Sequence, residues 1–240
     1  MPVLDVKRLL ATDKDSRILL DISDLTVSPG EFIVIAGPNG SGKTLFFRSI
    51  LGMLKHKRNQ IYLRGRQVKG PLSQYKHSIS YVPQHPEDFM LGLTVKDDLL
   101  FSYPGTTLPE NNEFFEEMGI NHILDRPSMV LSGGEKRKVS LASALLTEPE
   151  IILFDEPFTE LDYDGVCSLT KLIISLKAKG VTVLLITHDL SKILSICTRI
   201  IILNSGCIVL DDVPESIFKS EFNYGIRVPP VGMEKCSWLP

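Results

Sequence analysis

A glycine-rich run near the start of the chain has the residue types and the spacing that phosphate chemistry requires. It follows the pattern G-x-x-x-x-G-K-[ST], with a short apolar run at residues 31–36 before it and a helical pattern at residues 45–54 after it. Glycines let backbone N–H groups converge on phosphate oxygens, and the positive end of the following helix points at the same charge. The expected phosphate-binding residues are Gly37, Pro38, Asn39, Gly40, Ser41, Gly42, Lys43 and Thr44.

The last two residues of this loop have separate expected roles. Lys43 would reach the β- and γ-phosphates of a nucleotide, and Thr44 would offer its hydroxyl to Mg²⁺. The alternative is a chance glycine-rich turn, but the flanking strand and helix supply the context that the motif needs. The segment therefore predicts a nucleotide site that uses Mg²⁺.

Two adjacent acids, Asp155 and Glu156, close a fully apolar run that begins at Ile151. In open parallel sheets, ligands bind just beyond the carboxyl ends of the strands. Asp155 suits the Mg²⁺ shell, usually through water, and Glu156 could polarise an attacking water as a general base. Acids can also simply mark where a buried strand meets solvent. The phosphate loop upstream makes the functional interpretation the stronger one.

A second glycine-containing segment, at residues 131–135, precedes another helical pattern. Ser132 and Glu135 have the spacing of a capping box, in which each side chain bonds the other residue's backbone N–H. Such a capped helix start is itself a site for anions. The segment therefore predicts both a helix start and a place where a phosphate can bind.

Short apolar runs rich in β-branched residues alternate with loops and helical patterns, which indicates βαβ units around a buried parallel sheet. Residues 31–36, 151–155 and 181–187 are the stronger strand candidates, and residues 78–82 are a weaker one. Residues 199–203 and 207–210 are expected to pair as a hairpin, since Asn204 and Gly206 accept the positive φ of a tight turn. The predicted class is α/β with a mixed, parallel-core sheet.

The remaining segments suggest additions to this core. Residues 88–131 are polar and helix-forming, so we expect a small inserted helical subdomain at about residues 88–147. The first 30 residues suggest an antiparallel β flap. The main domain is predicted to cover residues 1–220, followed by an extended tail at residues 221–240.

Composition narrows the classes of function. The chain has 240 residues, of which 43% are hydrophobic, and a net charge of −3, which gives no support for broad nucleic-acid binding. Four widely spaced cysteines predict reduced thiols, and the N-terminus lacks a signal pattern. No stretch approaches the roughly 20 apolar residues of a membrane span. We therefore expect any membrane role to require a partner.

The phosphate loop, the paired acids and the segment at residues 131–135 occur in an order that resembles the ATP-binding-cassette ATPases, over residues 4–219. The resemblance implies a P-loop NTPase fold, ATP hydrolysis with Mg²⁺, and a head-to-tail dimer with a second cassette, either a copy or a relative. In that dimer, Ser132, Gly133 and Gly134 would complete the partner's site. Residue 135 is more commonly Gln in the family, and Lys138 and Ser143 stand where Arg is usual.

Three further positions match the family by their place in the chain. Gln84 resembles the loop glutamine that contacts Mg²⁺ and the attacking water. Asp162 resembles the carboxylate of the dimer-contacting loop. His188 follows a core strand and would bind the γ-phosphate and hold the attacking water. The resemblance thus implies catalytic roles for Gln84, Glu156 and His188, and metal-binding roles for Thr44, Gln84 and Asp155.

One family feature is absent. An aromatic residue on which adenine stacks is expected near Thr12 and Asp13, yet no Phe, Tyr or Trp precedes Phe32. Base stacking contributes about 1–3 kcal/mol in nucleotide-binding proteins. The sequence therefore predicts weaker adenine affinity or looser base selectivity.

The segment from Gln84 to Phe101 resembles the energy-coupling-factor type, which energises uptake of vitamins, cobalt or nickel. Its matching points are Gln84-x-Pro86-x-Asp88, Thr94-Val95 and Phe101. The implied partners are transmembrane subunits, and the implied location is cytoplasmic, on the inner face of the cell membrane. The alternatives are the motor of another importer or exporter, a soluble cassette ATPase acting on nucleic acid or ribosomes, and a nucleotide kinase. A kinase would have no use for residues 131–135.

Overall fold

The computed structural model describes residues 1–54, 60–68, 78–103, 105–109, 112–219, 225–226 and 228–229. Within these ranges the chain forms two sheets, and helices pack on them. Most of the predicted tail at residues 221–240 lies outside the described residues. The boundaries predicted for the main domain, the subdomain and the tail stay predictions.

The larger sheet has six strands in the order β10-β9-β3-β8-β7-β6. Every neighbouring pair is parallel except β9 and β10, which form an antiparallel hairpin. The residues of β3, β7 and β8 are all buried, as expected for parallel strands covered on both faces. The strands are β3 (Phe32–Ala36), β6 (Ile79–Val82), β7 (Ile151–Asp155), β8 (Thr182–Ile186), β9 (Arg199–Asn204) and β10 (Cys207–Asp212).

The predicted strands and the predicted hairpin are therefore confirmed. One detail of the hairpin was wrong, because the residues with positive φ are Ser205 and Gly206 rather than Asn204. Asn204 instead pairs with Cys207, which leaves a two-residue turn with positive φ at both positions. That conformation matches the twist of the two strands.

The smaller sheet is antiparallel, in the order β2-β1-β4-β5, and confirms the predicted N-terminal flap. Its first two strands have the alternating burial of a sheet with only one face against the core. The strands are β1 (Leu4–Thr12), β2 (Ile18–Val27), β4 (Gln60–Leu63) and β5 (Arg66–Gln67).

Six α-helices pack on the sheets in the described part of the chain: α1 (Lys43–Ile50), α2 (Val95–Ser102), α3 (Asn112–Glu117), α4 (Gly133–Leu145), α5 (Tyr163–Ala178) and α6 (Ser216–Lys219). The first helix ends four residues before the predicted limit of residue 54. Gly52 has a φ of 65° there, and its N–H bonds the carbonyl of Ser49. A left-handed glycine of this kind ends a helix. None of the helices in the described ranges has the length and apolar character needed to cross a membrane.

Three apolar clusters fill the spaces between these layers. Ile33 and Ile35 of β3 join α1 and the smaller sheet in one cluster, whereas Phe32 and Val34 face α5 in a second cluster. The third cluster lies among α2, α3 and α4 and includes Leu99. The insert between β6 and β7 thus has an apolar core of its own.

Gly206 joins the two sheets at the phosphate loop. Its N–H bonds the carbonyl of Ser41, and its carbonyl accepts the N–H of Asp21 from β2. A Cβ at Gly206 would lie 2.3 Å from the carbonyl oxygen of Leu19, at a φ of +81°. Glycine is therefore required at this position for close packing as well as for backbone conformation.

We predict that Gly206→Ala lowers the free energy of unfolding by about 2 kcal/mol more than Gly180→Ala does. Gly180 is a matched control, since its φ is +80° but no atom lies within 4 Å of an added Cβ. The control substitution should cost only the left-handed backbone strain, about 1–2 kcal/mol. Urea denaturation of both variants measures the difference, and equal losses would show that the sheets are not tightly joined at Gly206.

Candidate functional site

The predicted phosphate loop connects β3 to α1, at the carboxyl end of the strand and the amino end of the helix. Gly37 has a φ of +149°, and a Cβ there would lie 2.1 Å from the carbonyl oxygen of Leu203. The Nζ atom of Lys43 donates to the carbonyls of Gly37 and Pro38, at 2.8 and 3.0 Å. Lys43 thus closes the loop on itself, and burial lowers its pKa.

The phosphate loop contains polar groups without hydrogen-bond partners in the described part of the chain, and these groups could bind phosphate. The hydroxyl of Ser41 is buried, and none of the described residues provides its hydrogen-bond partner. The N–H groups at the start of α1 have no acceptors within the helix, as at any helix start. The loop therefore offers several donors around one concave backbone, which suits a nucleotide's phosphates.

Asp155, at the end of β7, is fully buried. Its Oδ1 accepts from the hydroxyl of Thr44 at 3.2 Å, and its Oδ2 accepts from the hydroxyl of Tyr81 at 3.0 Å. Burial raises the pKa of Asp155, while these hydrogen bonds act in the opposite direction. A hydroxyl and a carboxylate side by side are the kind of protein ligands with which Mg²⁺ is held beside a nucleotide's phosphates.

Glu156 has a backbone φ of 48°, which is uncommon for a residue other than glycine. The strained backbone turns its carboxylate toward the end of β8, where Oε2 lies 2.9 Å from Nδ1 of His188. Burial raises the pKa of Glu156, and His188 opposes that shift. A carboxylate with a raised pKa is a stronger base, so this pair could orient and polarise a water molecule.

Several of these groups line one open cleft of about 670 Å³. That volume lies within the range of small-molecule sites. The cleft brings together Gln84, Glu156 and His188 with the second half of the phosphate loop, whereas Asp155 lies behind the cleft against Thr44. The lining residues are Asn39, Gly40, Gly42, Lys43, Thr44, Leu45, Gln84, Glu156, Thr159, Ile186 and His188.

Ser132 caps α4, and the predicted capping box is confirmed. The hydroxyl of Ser132 accepts the N–H of Glu135 at 3.3 Å, and Glu135 Oε2 accepts the backbone N–H of Ser132 at 2.8 Å. The hydroxyl also donates to Glu135, whose other oxygen lies 2.8 Å from Arg126. These bonds lower the pKa of Glu135. Arg126 therefore balances the extra charge of a Glu at this position.

Gly133 and Gly134 lie outside the cleft. Neither has a positive φ, and nothing lies within 4 Å of a Cβ added to either. Nothing in the described part of the chain therefore requires glycine at either position. Asp162, by contrast, has a role within the chain, because its Oδ1 caps α5 through the N–H of Gly165.

Sequence reasoning missed two residues that contact the site. Tyr81 bonds Asp155, and the buried guanidinium of Arg137 donates to the carbonyls of Pro157 and Gln84, at 2.9 and 3.4 Å. Strand alternation could have placed Tyr81, because it pairs with Leu153, which shares a face with Asp155. No local pattern indicates the partners of Arg137, since they depend on how α4 packs.

The hairpin of β1 and β2 contains the positions near which the family's adenine-stacking aromatic is expected. Leu20 lies so near the phosphate loop that a Cβ on Gly42 would meet its Cδ2 at 2.6 Å. The turn itself is held by Asp13, whose Oδ1 accepts the N–H groups of Asp15 and Arg17. The turn thus carries charged and small side chains where an aromatic ring was expected.

Comparison with known proteins assigns the family. The model of the ABC transporter family matches residues 20–159. A lipopolysaccharide export system ATP-binding protein, LptB of Haemophilus influenzae, is 32% identical over 232 residues, which cover 92% of this chain and 95% of that protein. The chain belongs to the ABC transporter family. It is accordingly an ATP-hydrolysing enzyme, and the predicted fold class is confirmed.

Other ABC proteins are similar at the same level. An energy-coupling factor transporter ATP-binding protein, EcfA of Methanothermobacter thermautotrophicus, is 32% identical over 205 residues, or 82% of this chain and 66% of that protein. The structure of cbiO1 from Clostridium perfringens, part of the ABC transporter complex cbiONQ, has a TM-score of 0.76 at 27% identity and covers 92% of both chains. The predicted resemblance to energy-coupling-factor ATPases is confirmed.

We predict that Glu156→Gln retains ATP binding but lowers turnover by at least about 100-fold, because the amide cannot act as a base. Lys43→Ala is the contrasting variant and should weaken nucleotide binding itself, since it removes the cation beside the phosphates. Steady-state ATPase rates and binding of a fluorescent ATP analogue measure the two effects. Turnover of Glu156→Gln within a fewfold of wild type would reject Glu156 as the base.

We predict that ATP and GTP bind to this ABC ATPase with comparable dissociation constants. The physical reason is the absent aromatic, whose stacking would contribute about 1–3 kcal/mol, or roughly 5- to 150-fold in affinity. Competition of each nucleotide against a fluorescent ATP analogue measures the ratio. Strict preference for ATP would show that other residues select the base.

Proposed function

We propose that this ABC ATPase powers an importer of the energy-coupling-factor type, which takes up a metal ion or a vitamin. That it is an ATP-hydrolysing subunit of a membrane transporter follows from its family. The type of transporter and its cargo form the proposal. The observation that carries it is an apolar groove beside the loop that follows β6.

The groove lies between β6, the segment at residues 83–102 and α4, and has a volume of about 400 Å³. Its rim includes apolar side chains with large exposed fractions, 39% for Phe89, 75% for Leu91 and 59% for Phe101. Leu93, 85% exposed, extends the surface in a neighbouring depression. Contiguous exposed apolar patches mark interaction sites, and a helical segment of a membrane subunit fits a groove of this kind.

The groove has a fixed wall. Asp98 is buried in α2, and its Oδ1 accepts the N–H groups of Leu91 and Gly92, at 2.7 and 2.6 Å. Its Oδ2 accepts from the hydroxyl of Ser128. These charge-assisted bonds hold the loop with Leu91 in place before any partner binds. Preorganisation of this kind favours docking because less conformational entropy is lost.

Sequence features of the same groove support the energy-coupling-factor type. Pro86 and Phe101 line the groove, and both belong to the pattern that resembles those ATPases. EcfA is named as the ATP-binding protein of such a transporter, and cbiO1 is named as part of the ABC transporter complex cbiONQ. The second candidate is a lipopolysaccharide exporter motor, because LptB is equally identical and matches over more of the chain.

We further propose that two chains close head to tail over two ATP molecules. Lys43, Thr44, Gln84, Asp155, Glu156 and His188 would form one half of each site, with Mg²⁺ held by Thr44, Asp155 and Gln84. Ser132, Gly133 and Gly134 of the other subunit would form the second half. Support comes from the two glycines, because nothing in the described part of the chain requires glycine at either position. A homodimer is proposed because one chain contains both halves.

Each residue near the phosphates has a proposed task in hydrolysis. Lys43 would exchange its bonds to the loop carbonyls for the β- and γ-phosphates. Glu156 would take a proton from the attacking water, and His188 would hold that water and the γ-phosphate. Mg²⁺, when bound, would neutralise charge on the phosphates. The enzyme is proposed to act on the inner face of the membrane, bound to transmembrane subunits, with no nucleic-acid partner.

The function is tested by reconstituting the chain in liposomes with the membrane proteins encoded beside its gene. ATP-dependent accumulation of radiolabelled Co²⁺, Ni²⁺ or biotin is expected, and Glu156→Gln should abolish it. ATP-dependent removal of lipopolysaccharide from the vesicles, without uptake of these probes, would replace the importer with the exporter. The absence of both activities would also overturn the importer assignment.

We predict that Leu91→Gln prevents co-purification with those membrane subunits and abolishes uptake, while ATP binding by the isolated chain is unchanged. The polar amide removes apolar contact area from the groove without adding charge beside Asp98. Val209→Gln is the matched control, because Val209 is also exposed but lies on β10, at the opposite edge of the sheet from β6. Wild-type co-purification of Leu91→Gln would place the docking surface elsewhere.

A further inference from the structure

Tyr81 contacts both the proposed metal site at Asp155 and the apolar groove. Its hydroxyl donates to Oδ2 of Asp155 at 3.0 Å, beside the proposed metal site. Its ring forms part of the apolar groove, where the transporter partner is proposed to dock. A side chain that contacts both the metal-binding carboxylate and the docking surface can influence both.

The contact with Asp155 follows from strand register. Tyr81 of β6 pairs with Leu153 of β7, and side chains two residues apart on a strand share a face. The side chains of Tyr81 and Asp155 therefore lie on the same face of the sheet, one strand apart. Tyrosine is long enough to reach the carboxylate diagonally, which a smaller side chain at this position could not do.

The two oxygens of the Asp155 carboxylate have different hydrogen-bond partners. Oδ2 is held by Tyr81, so Oδ1 remains directed at the hydroxyl of Thr44. Asp155 is fully buried, and a buried carboxylate oxygen without a donor is costly. Loss of the Tyr81 hydroxyl would remove the hydrogen bond that holds Oδ2. The carboxylate would then no longer be fixed for metal binding.

The ring of Tyr81 is held by two other aromatic side chains. Phe47 of α1 lies edge-on with its centroid 6.4 Å away, and Phe89 packs at 5.5 Å with the planes at 72°. Phe47 is fully buried, whereas Phe89 is partly exposed at the groove. Phe89 is therefore the movable contact, since a partner entering the groove would touch it directly.

We propose that Tyr81 is a positioning residue for the carboxylate of Asp155, and that its ring couples occupancy of the groove at Phe89 to metal binding. This rests on the proposed roles of Asp155 and of the groove. A partner segment packed against Phe89 fixes the ring of Tyr81 and thereby the carboxylate. The docked subunit thus binds Mg²⁺ with ATP more tightly than the isolated chain does.

The first test measures metal binding directly in Tyr81→Phe, which keeps the ring and removes the hydroxyl. Mn²⁺ titrated into the ATP-loaded protein and followed by electron paramagnetic resonance reports the metal affinity without hydrolysis. We expect Tyr81→Phe to weaken Mn²⁺ binding about tenfold, the lower end of the loss on removal of an outer-shell partner. ATP affinity in EDTA should be unchanged. Tyr62→Phe, in β4 of the smaller sheet, is the matched control and should behave as wild type.

The second test addresses the coupling through Phe89. Phe89→Leu keeps the groove apolar but loses the aromatic contact, and it should weaken Mn²⁺ binding by a smaller factor than Tyr81→Phe. In the Tyr81→Phe background it should add nothing, because the connection is already broken. Phe89→Leu also keeps the proposal testable if Tyr81→Phe fails to fold in a thermal melt.

The outcomes separate this inference from the proposed function. Wild-type Mn²⁺ affinity in Tyr81→Phe would overturn the positioning role, and additive losses in the double variant would overturn the coupling. If the wild-type chain binds ATP but no Mn²⁺ beside it, the metal site itself fails and the inference fails with it. A wild-type metal site with an unaffected Tyr81→Phe variant refutes only the inference.

Discussion

The hydrogen bond from Thr44 to Asp155 joins residues 111 positions apart and fixes the geometry on which the other site residues depend. It forms because β3 and β7 are parallel strands on either side of β8, so all three end at one edge of the sheet. The phosphate loop, the paired acids and His188 follow those strands directly. The chain then adds the helical insert at the same edge, after β6. Sheet topology thus brings the phosphate loop, the paired acids and His188 together at one edge.

Parallel strands also made much of this predictable from sequence. Because both faces of the sheet are covered, its strands are continuous apolar runs, and the residue after each run lies at the ligand-binding edge. That reasoning places Glu156 and His188 at the same edge of the sheet, and the structure brings their side chains within 2.9 Å of each other. The end of α1 was misplaced because an apolar pattern continued past Gly52, where a left-handed glycine stops the helix.

The remainder depends on contacts that no local pattern encodes. Tyr81 reaches Asp155 only because of the register between β6 and β7, and Arg137 meets Gln84 only because α4 packs against the loop after β6. For Gly133 and Gly134 the sequence is informative and the contacts within the chain are not. Their motif was evident in the sequence, but no neighbour in the described chain explains it. We therefore propose that half of the site comes from a second subunit.

Mixing two inactive variants tests that claim most directly. Gly134→Asp adds a charge where nothing lies within 4 Å, so it should fold normally yet repel a phosphate, and Glu156→Gln lacks the base. In a head-to-tail homodimer, a mixed pair has one intact site, so the mixture should recover roughly a quarter of the wild-type ATPase rate. A mixture with no more activity than its parts, together with a wild-type rate per chain that is independent of protein concentration, would contradict a shared site.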